Sequence, residues 1–297
     1  MAMATKILLG SVVTLLLAGV LSACSPLRVI NAVTPGSASE KTRDISYGSD
    51  PRNQLDIYRP RDGNGAAPVV VFFYGGSWNS GSRGDYAFVG EALAARGIVA
   101  VLADYRLYPQ VRYPAFVEDS AEAVAWTFKN IQRFGGDQKK VFVMGHSAGA
   151  YNAAMVALDA RWLVAQGASP TALRGWIGLA GPYDFLPIKN LDVRPVFFYP
   201  DSPPQSQPVR HVTSTAPPAL LVASHADELV NATRNTGGLA ASLRAANVAV
   251  DEVYFDSTSH ASLIGAFAWP LRGLAPVLDK VVEFVDSDGG RDVKIAR

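Results

Sequence analysis

The stretch 141–149, Val-Phe-Val-Met-Gly-His-Ser-Ala-Gly, constrains this chain more than any other. A short apolar run leads directly into Gly145-His146-Ser147-Ala148-Gly149, and the small-residue segment from Ala150 to Leu158 is compatible with a helix. Strand, sharp turn, then helix is the context in which a G-x-S-x-G match acquires meaning. A serine on so tight a turn crowds whatever lies two residues before and after it, so only the smallest side chains fit there. The Ser147 hydroxyl is then exposed at the positive end of the following helix, where developing negative charge is favoured. A chance glycine-serine turn is the bland alternative, and it does not account for the flanking strand and helix.

The rest of the chain supplies matching elements. Gln54 to Tyr58 alternates like an early strand, and Val69 to Phe73 is a continuous β-branched and aromatic run of the kind that fills a buried central strand. Ile98 to Ala103, Val141 to Val143, Trp176 to Ala180, Ala219 to Ala223 and Val250 to Phe255 are further strand candidates. Between them lie helical patterns at Tyr86 to Ala95, after Pro114, at Ala232 to Ala246 and at Val277 to Val285, the second closing on Gly135-Gly136. Alternation of this sort implies an α/β fold with a mostly parallel sheet and helices on both faces. Residues 182–218, rich in proline and aromatics, show no period and read as an irregular excursion that carries function or covers a site.

The start of the chain reads differently. Lys6 precedes an uncharged apolar stretch from Ile7 to Leu27, which has the make-up of a secretory signal over residues 1–23. Leu21-Ser22-Ala23-Cys24 resembles the lipobox of bacterial lipoproteins, whose cysteine is diacylated and becomes the first mature residue. Cys24 is the one cysteine in the sequence, so an internal disulfide is excluded. Ser25 resembles the outer-membrane sorting pattern, so the expectation is export to the bacterial cell envelope and a lipid anchor facing the periplasm. Residues 24–50, rich in Ser, Thr, Ala and Gly, are expected to form a tether to a domain over 51–297. Charged residues make up 18% and hydrophobic ones 49%, which argues against disorder. Lys6 is the one charge in residues 1–23, so 26 basic side chains face 26 acidic ones beyond them. With no basic block, nucleic acid is not an expected partner. No spaced His/Cys/Asp cluster calls for a metal or other cofactor, and nothing signals an oligomer.

A serine hydroxyl needs a base, and the base needs a carboxylate to fix its tautomer and stabilise its cation. There are four histidines. His146 is the variable residue of the serine turn and is expected to point away from its neighbour. His211 lies in the proline-rich excursion, and His225 stands two residues from the best acid. His260 follows the last strand, at the carboxyl edge of the sheet where Ser147 is expected. For the acid, Asp227 follows a strand end and lies between Ser147 and His260 in the chain. Asp184, one element earlier, is the runner-up, while Asp256 sits too close to His260 and reads as a turn cap. The tetrahedral oxyanion needs two donors, each worth about 3–4 kcal/mol when lost. Ala148 N–H is one, and the turn after Val69–Phe73 offers Gly75 or Gly76 for the other.

These stretches together resemble the α/β-hydrolase esterases and lipases related to hormone-sensitive lipase and the small carboxylesterases. The resemblance runs from about Gln54 to Val285 through Tyr74-Gly75-Gly76-Ser77-Trp78, Asp104-Tyr105-Arg106, Phe134-Gly135-Gly136-Asp137, the serine pentapeptide, Asp227 and His260. It implies an α/β-hydrolase fold and a serine esterase acting on a small or aromatic ester through an acyl-enzyme. An arylformamidase or amidase with the same three residues is the alternative, and an inactive lipid-anchored binding protein a third. The chain departs from the family at Tyr74, where histidine is usual, and at Ser77, where glycine or alanine is. Trp78, Phe185, Phe197, Phe198 and Tyr199 could line an acyl or aromatic pocket, or serve in core and lid packing.

Overall fold

A computed structural model of the chain describes residues 26–290 apart from Asn64. The expected signal at 1–23 and the lipobox cysteine Cys24 lie outside the described residues. Eight strands form one sheet: β1 (Ser39–Ser46), β2 (Gln54–Pro60), β3 (Ala67–Phe73), β4 (Val99–Ala103), β5 (Gly136–His146), β6 (Gly175–Leu179), β7 (Ala219–Ser224) and β8 (Val250–Phe255). Their order is β1-β2-β4-β3-β5-β6-β7-β8, with β2 antiparallel to both neighbours and the other pairings parallel. The helices are α1 (Pro26–Val33), α2 (Ala87–Ala94), α3 (Ala115–Asn130), α4 (Ala148–Leu158), α5 (Ala160–Ala165), α6 (Gly238–Ala245), α7 (His260–Gly265) and α8 (Val277–Asp286). One layer brings α3, α4 and α5 together, and the other brings α2 beside α8. Covered on both faces, the central strands need apolar side chains at every position, which is why they read as runs and not as alternations.

The turn between β5 and α4 shows the local physics most directly. Ser147 adopts φ 54° and ψ −122°, a strained region for a residue with a side chain. A Cβ on Gly145 would lie 2.1 Å from the Gly149 carbonyl oxygen, and one on Gly149 would lie 2.0 Å from that of Phe73. Neither position can hold a larger residue without moving the backbone. In exchange α4 starts directly beside β3, and Ser147 is lifted clear of the strand ends.

The segment expected to be a tether is largely part of the fold. Residues Ser39–Ser46 pair with β2 as an edge strand, and α1 docks through Asn31, whose amide donates to the Gly84 and Asp85 carbonyls at 3.0 Å and accepts from Phe88 N–H. β1 is exposed along most of its length and carries charges where a core strand would carry valines, so it has no hydrophobic alternation to read. Ion pairs hold it instead. Glu40 meets Arg59, Lys41 meets Glu91, and Asp44 shares Arg83 with Asp56 and Asp104. The other departure is smaller: the expected helix at 232–246 opens with a π turn over Thr233–Gly237 before α6 begins.

Phe142 on β5 is buried, with its ring 6.0 Å from that of Phe284 on α8. Phe142→Ala should lower the unfolding free energy by about 3–5 kcal/mol, read from urea denaturation at neutral pH. A loss under 1 kcal/mol would show that α8 does not seal this face.

Candidate active site

The carboxyl ends of β3, β5, β6 and β7 surround a cavity of about 350 Å³, lined among others by Ser147, Ala148 and His260. Ser147 reaches it from the turn after β5, and His260 from the start of α7. A capping box between Ser259 and Ser262 fixes the first turn of that helix. The His260 ring bonds through Nδ1 to Asp227 Oδ2 at 2.7 Å. Nδ1 therefore carries the proton, and Nε2 is left as the free acceptor. The other Asp227 oxygen accepts the N–H groups of Leu229 and Val230 at 2.9 and 2.8 Å. Burial pushes the Asp227 carboxyl up, but the bond from His260 and these two N–H groups outweigh it and hold the group below the usual carboxylate range. Among the described residues, the Ser147 hydroxyl has no hydrogen-bond partner, and Ser147 and His260 meet only as walls of the same cavity. Such bonds are often long before substrate binds.

The other acids are engaged elsewhere. Asp184 forms a two-point pair with Arg234, both contacts at 3.1 Å, on the cavity wall. Asp256 accepts from His225 at 2.6 Å, with the His225 ring stacked 4.7 Å from Tyr254. His211 bonds the Gln205 carbonyl at 2.7 Å and lies beside Asp159.

His146 does not simply point away. It is buried, its Nε2–H donates to the His260 carbonyl oxygen at 2.9 Å, and the two rings are 4.9 Å apart. Burial, with the neighbouring His260 ring adding to it, pushes the His146 imidazole down to about 3. It stays neutral beside the hydrogen-bonded pair of His260 and Asp227. The sequence offered no sign of this, because the contact spans 114 residues and ends on a backbone oxygen.

The turn after β3 also differs in detail from the reading above. Gly75 packs behind the serine: a Cβ there would lie 2.9 Å from Ser147 Cβ. The Gly76 carbonyl closes the turn by accepting from Asn79 and Ser80 N–H groups. Ser77 and Trp78, at φ 51° and 57°, form the cavity wall there. As first residue of its helix, Ala148 has an N–H with no intrahelical acceptor. Of the aromatic candidates, Trp78 and Phe185 line the cavity, with Trp78 pinned by Asn152 at 3.0 Å. Phe197 is fully buried behind them against Trp78, Tyr113 and Tyr151, while Phe198 and Tyr199 are exposed under Arg112 and Arg194. The excursion 182–218 is packed down: Tyr151 donates to the Ser206 carbonyl at 2.7 Å, and Asn235 in the π turn accepts from Tyr183 and Asp184 N–H. It supplies Pro182, Phe185, Ile188 and Val193 to the cavity.

With this geometry in view, the likeness to known proteins becomes specific. The BD-FAE family matches residues 55–241, which is more than half of the sequence. The chain belongs to that family. Over 146 residues it is 37% identical to the isoprenylcysteine alpha-carbonyl methylesterase of Arabidopsis thaliana, covering 48% of this chain and 34% of that one. Its identity to esterase LipC of Mycobacterium tuberculosis is 33% over 199 residues, covering 61% and 49%. The match spans about a third of the length of three plant methylesterases, and 67% of a fourth, from Arabidopsis thaliana, at 30% identity. Inhibited esterase B from Lactobacillus rhamnosis superposes with a TM-score of 0.76 at 18% identity, over 96% of this chain and 99% of that one. The fold is accordingly that of the α/β-hydrolase esterases.

His146 supplies a test of this arrangement. Its folded pKa lies below the value of about 6.5 for a free imidazole, so the unfolded chain takes up a proton that the folded one refuses. The stability it contributes is complete above about pH 6.5 and is lost as pH falls toward 3. The difference in unfolding free energy between wild type and His146→Gln should shrink by about 2 kcal/mol between pH 7 and pH 5, measured by urea titration. An unchanged difference would mean that the ring is not held neutral.

Proposed function

We propose that the protein is a serine carboxylic-ester hydrolase that acts on a small or aromatic ester through an acyl-enzyme. The observation that carries this reading is the 2.7 Å bond from His260 Nδ1 to Asp227, because it leaves Nε2 free on the cavity that Ser147 also lines. The hydroxyl of Ser147 attacks the ester carbonyl as its proton passes to His260 Nε2, and the Asp227 carboxylate stabilises the imidazolium that forms. Negative charge gathers on the former carbonyl oxygen, which meets the Ala148 N–H and the N–H groups of Gly76 and Ser77. His260 returns the proton to the departing alcohol. It then takes one from the water that releases the acid. Neutral His146 adds no positive charge beside the imidazolium and, through the His260 carbonyl, holds the start of α7 against the serine turn. The names of the relatives, which are esterases, support the choice of an ester over an amide.

We also infer export to the bacterial cell envelope, with a lipid on Cys24 anchoring the chain to the outer membrane on its periplasmic side. The support is the run Leu21-Ser22-Ala23-Cys24-Ser25. Radiolabelled palmitate should enter the full chain expressed in a bacterial host and not its Cys24→Ser variant. Equal labelling of the two would remove the anchor.

The enzymatic reading is tested at Ser147. Ser147→Ala should lower p-nitrophenyl butyrate hydrolysis by at least about 10³-fold and abolish labelling by a fluorophosphonate probe. A variant within tenfold of wild type would take Ser147 out of the mechanism. Faster turnover of formanilide than of short esters by the wild-type enzyme would move the assignment to the amide bond.

A further inference from the structure

The turn that carries the proposed oxyanion donors is gripped from behind by one side chain from a distant part of the chain. Arg52 lies between β1 and β2. Its Nε donates to the Tyr105 carbonyl at 2.7 Å, and its Nη2 donates to the Gly81 carbonyl at 2.6 Å and to the Tyr74 hydroxyl at 2.7 Å. Tyr74 directly precedes the turn and Gly81 closes the segment after it, so one guanidinium holds both ends of residues 74–81. The grip is doubled by Tyr105, whose hydroxyl donates to the Tyr74 carbonyl at 2.7 Å. Its ring stacks on Tyr74 at 4.7 Å and 20°, with Tyr86 stacked at 5.8 Å and 21°. Tyr74 and Tyr105 are fully buried.

Two features separate this from an ordinary arginine contact. Its ion pair with Asp104 is long, at 4.0 Å, and the fork spends its hydrogen bonds on two carbonyls and a phenol. A planar guanidinium sets those donors in fixed directions, which suits the locking of three segments at once. The segment it holds also needs holding. Gly76, Ser77, Trp78 and Gly81 all have positive φ, two of them without the freedom of glycine, and such backbone persists only when its surroundings impose it. Histidine, the residue that the esterase resemblance leads one to expect at 74, has no phenolic oxygen to offer this fork.

We propose that Arg52 is a positioning residue for the reaction, which through Tyr74 and Gly81 fixes the Gly76 and Ser77 N–H groups where the oxyanion forms. The proposal rests on the esterase reading above. Its partners are Tyr74 as the receiving phenol and Tyr105 as the second strap. Arg52 touches no substrate. Its loss leaves the cavity lining unaltered and lets the donors drift.

The test compares Arg52→Met, Arg52→Lys, Tyr74→Phe and the double variant Arg52→Met/Tyr74→Phe. Rates on p-nitrophenyl butyrate are divided by active sites titrated to completion with a fluorophosphonate. Arg52→Met should lose about 10- to 100-fold in kcat with KM within about twofold, because misplaced donors fail in the transition state and not in substrate binding. The inhibition constant of a trifluoromethyl ketone, which forms a tetrahedral oxyanion on the serine, should rise by the factor by which kcat/KM falls. Lysine should recover part of the loss. Tyr74→Phe should fall between wild type and Arg52→Met, and the double variant should be no worse than Arg52→Met. A kcat per titrated site within twofold of wild type in Arg52→Met would overturn the proposal. So would a loss confined to KM, or one that leaves the ketone's affinity unchanged. Should Arg52→Met fail to fold, Arg52→Lys and Tyr74→Phe are read by the same measures, and wild-type behaviour in both overturns it. A wild-type enzyme that neither turns over ester nor labels removes the esterase reading and this inference with it. That outcome is distinct from an active wild type matched by its variants.

Discussion

The start of α4 lies against the carbonyl of Phe73 with no room for a side chain between them. Nearly everything about the site follows from that approach. Because Gly149 lets the helix close on β3 and Gly145 lets the strand turn, Ser147 is forced into a conformation that side-chain-bearing residues avoid. The strain is tolerated because the sheet on one side and α4 on the other are packed solid, with β4, β6 and β7 buried from end to end and β5 buried from Val141 to His146. A looser core would let the turn relax and the hydroxyl sink. The core and the position of Ser147 are thus one problem, solved by the same small residues.

Around that turn the polar groups are arranged by burial as much as by direct bonding. Asp227 keeps its charge because three donors converge on it, and His146 loses the capacity for charge because burial, with the His260 ring beside it, disfavours the cation. Two histidines whose rings are 4.9 Å apart therefore have different work. One faces a carboxylate and the cavity. The other faces a backbone oxygen and the protein interior. Environment, and not residue type, separates them.

Much of this was legible in the sequence, for identifiable reasons. Central strands covered on both faces must be apolar throughout, so β3 through β7 announce themselves. Ser147, Asp227 and His260 stand at strand ends or just beyond them, which is where a parallel sheet gathers side chains that must meet. Those three positions come to one cavity wall or one hydrogen bond away from it. What stayed hidden has a common cause. β1 is a charged edge strand held by ion pairs, so it lacks the pattern by which strands are recognised. Arg52 and His146 act on backbone oxygens, and a carbonyl leaves no trace in residue identity. The wall at Ser77 and Trp78 depended on dihedral angles that the glycines beside them only hinted at.

The charged outer strand has a consequence for the molecule among its neighbours. An open sheet ends in a row of unpaired amides and carbonyls that any extended peptide can complete. Here that boundary bears Glu40, Lys41, Arg43 and Asp44 in succession, and the ladder slips between Thr42 and Ile45. A stranger aligning there would have to strip water from four ionic groups and match an irregular rung spacing. The same residues that disguised β1 as a linker therefore protect this flank of the sheet from adhesion to other chains.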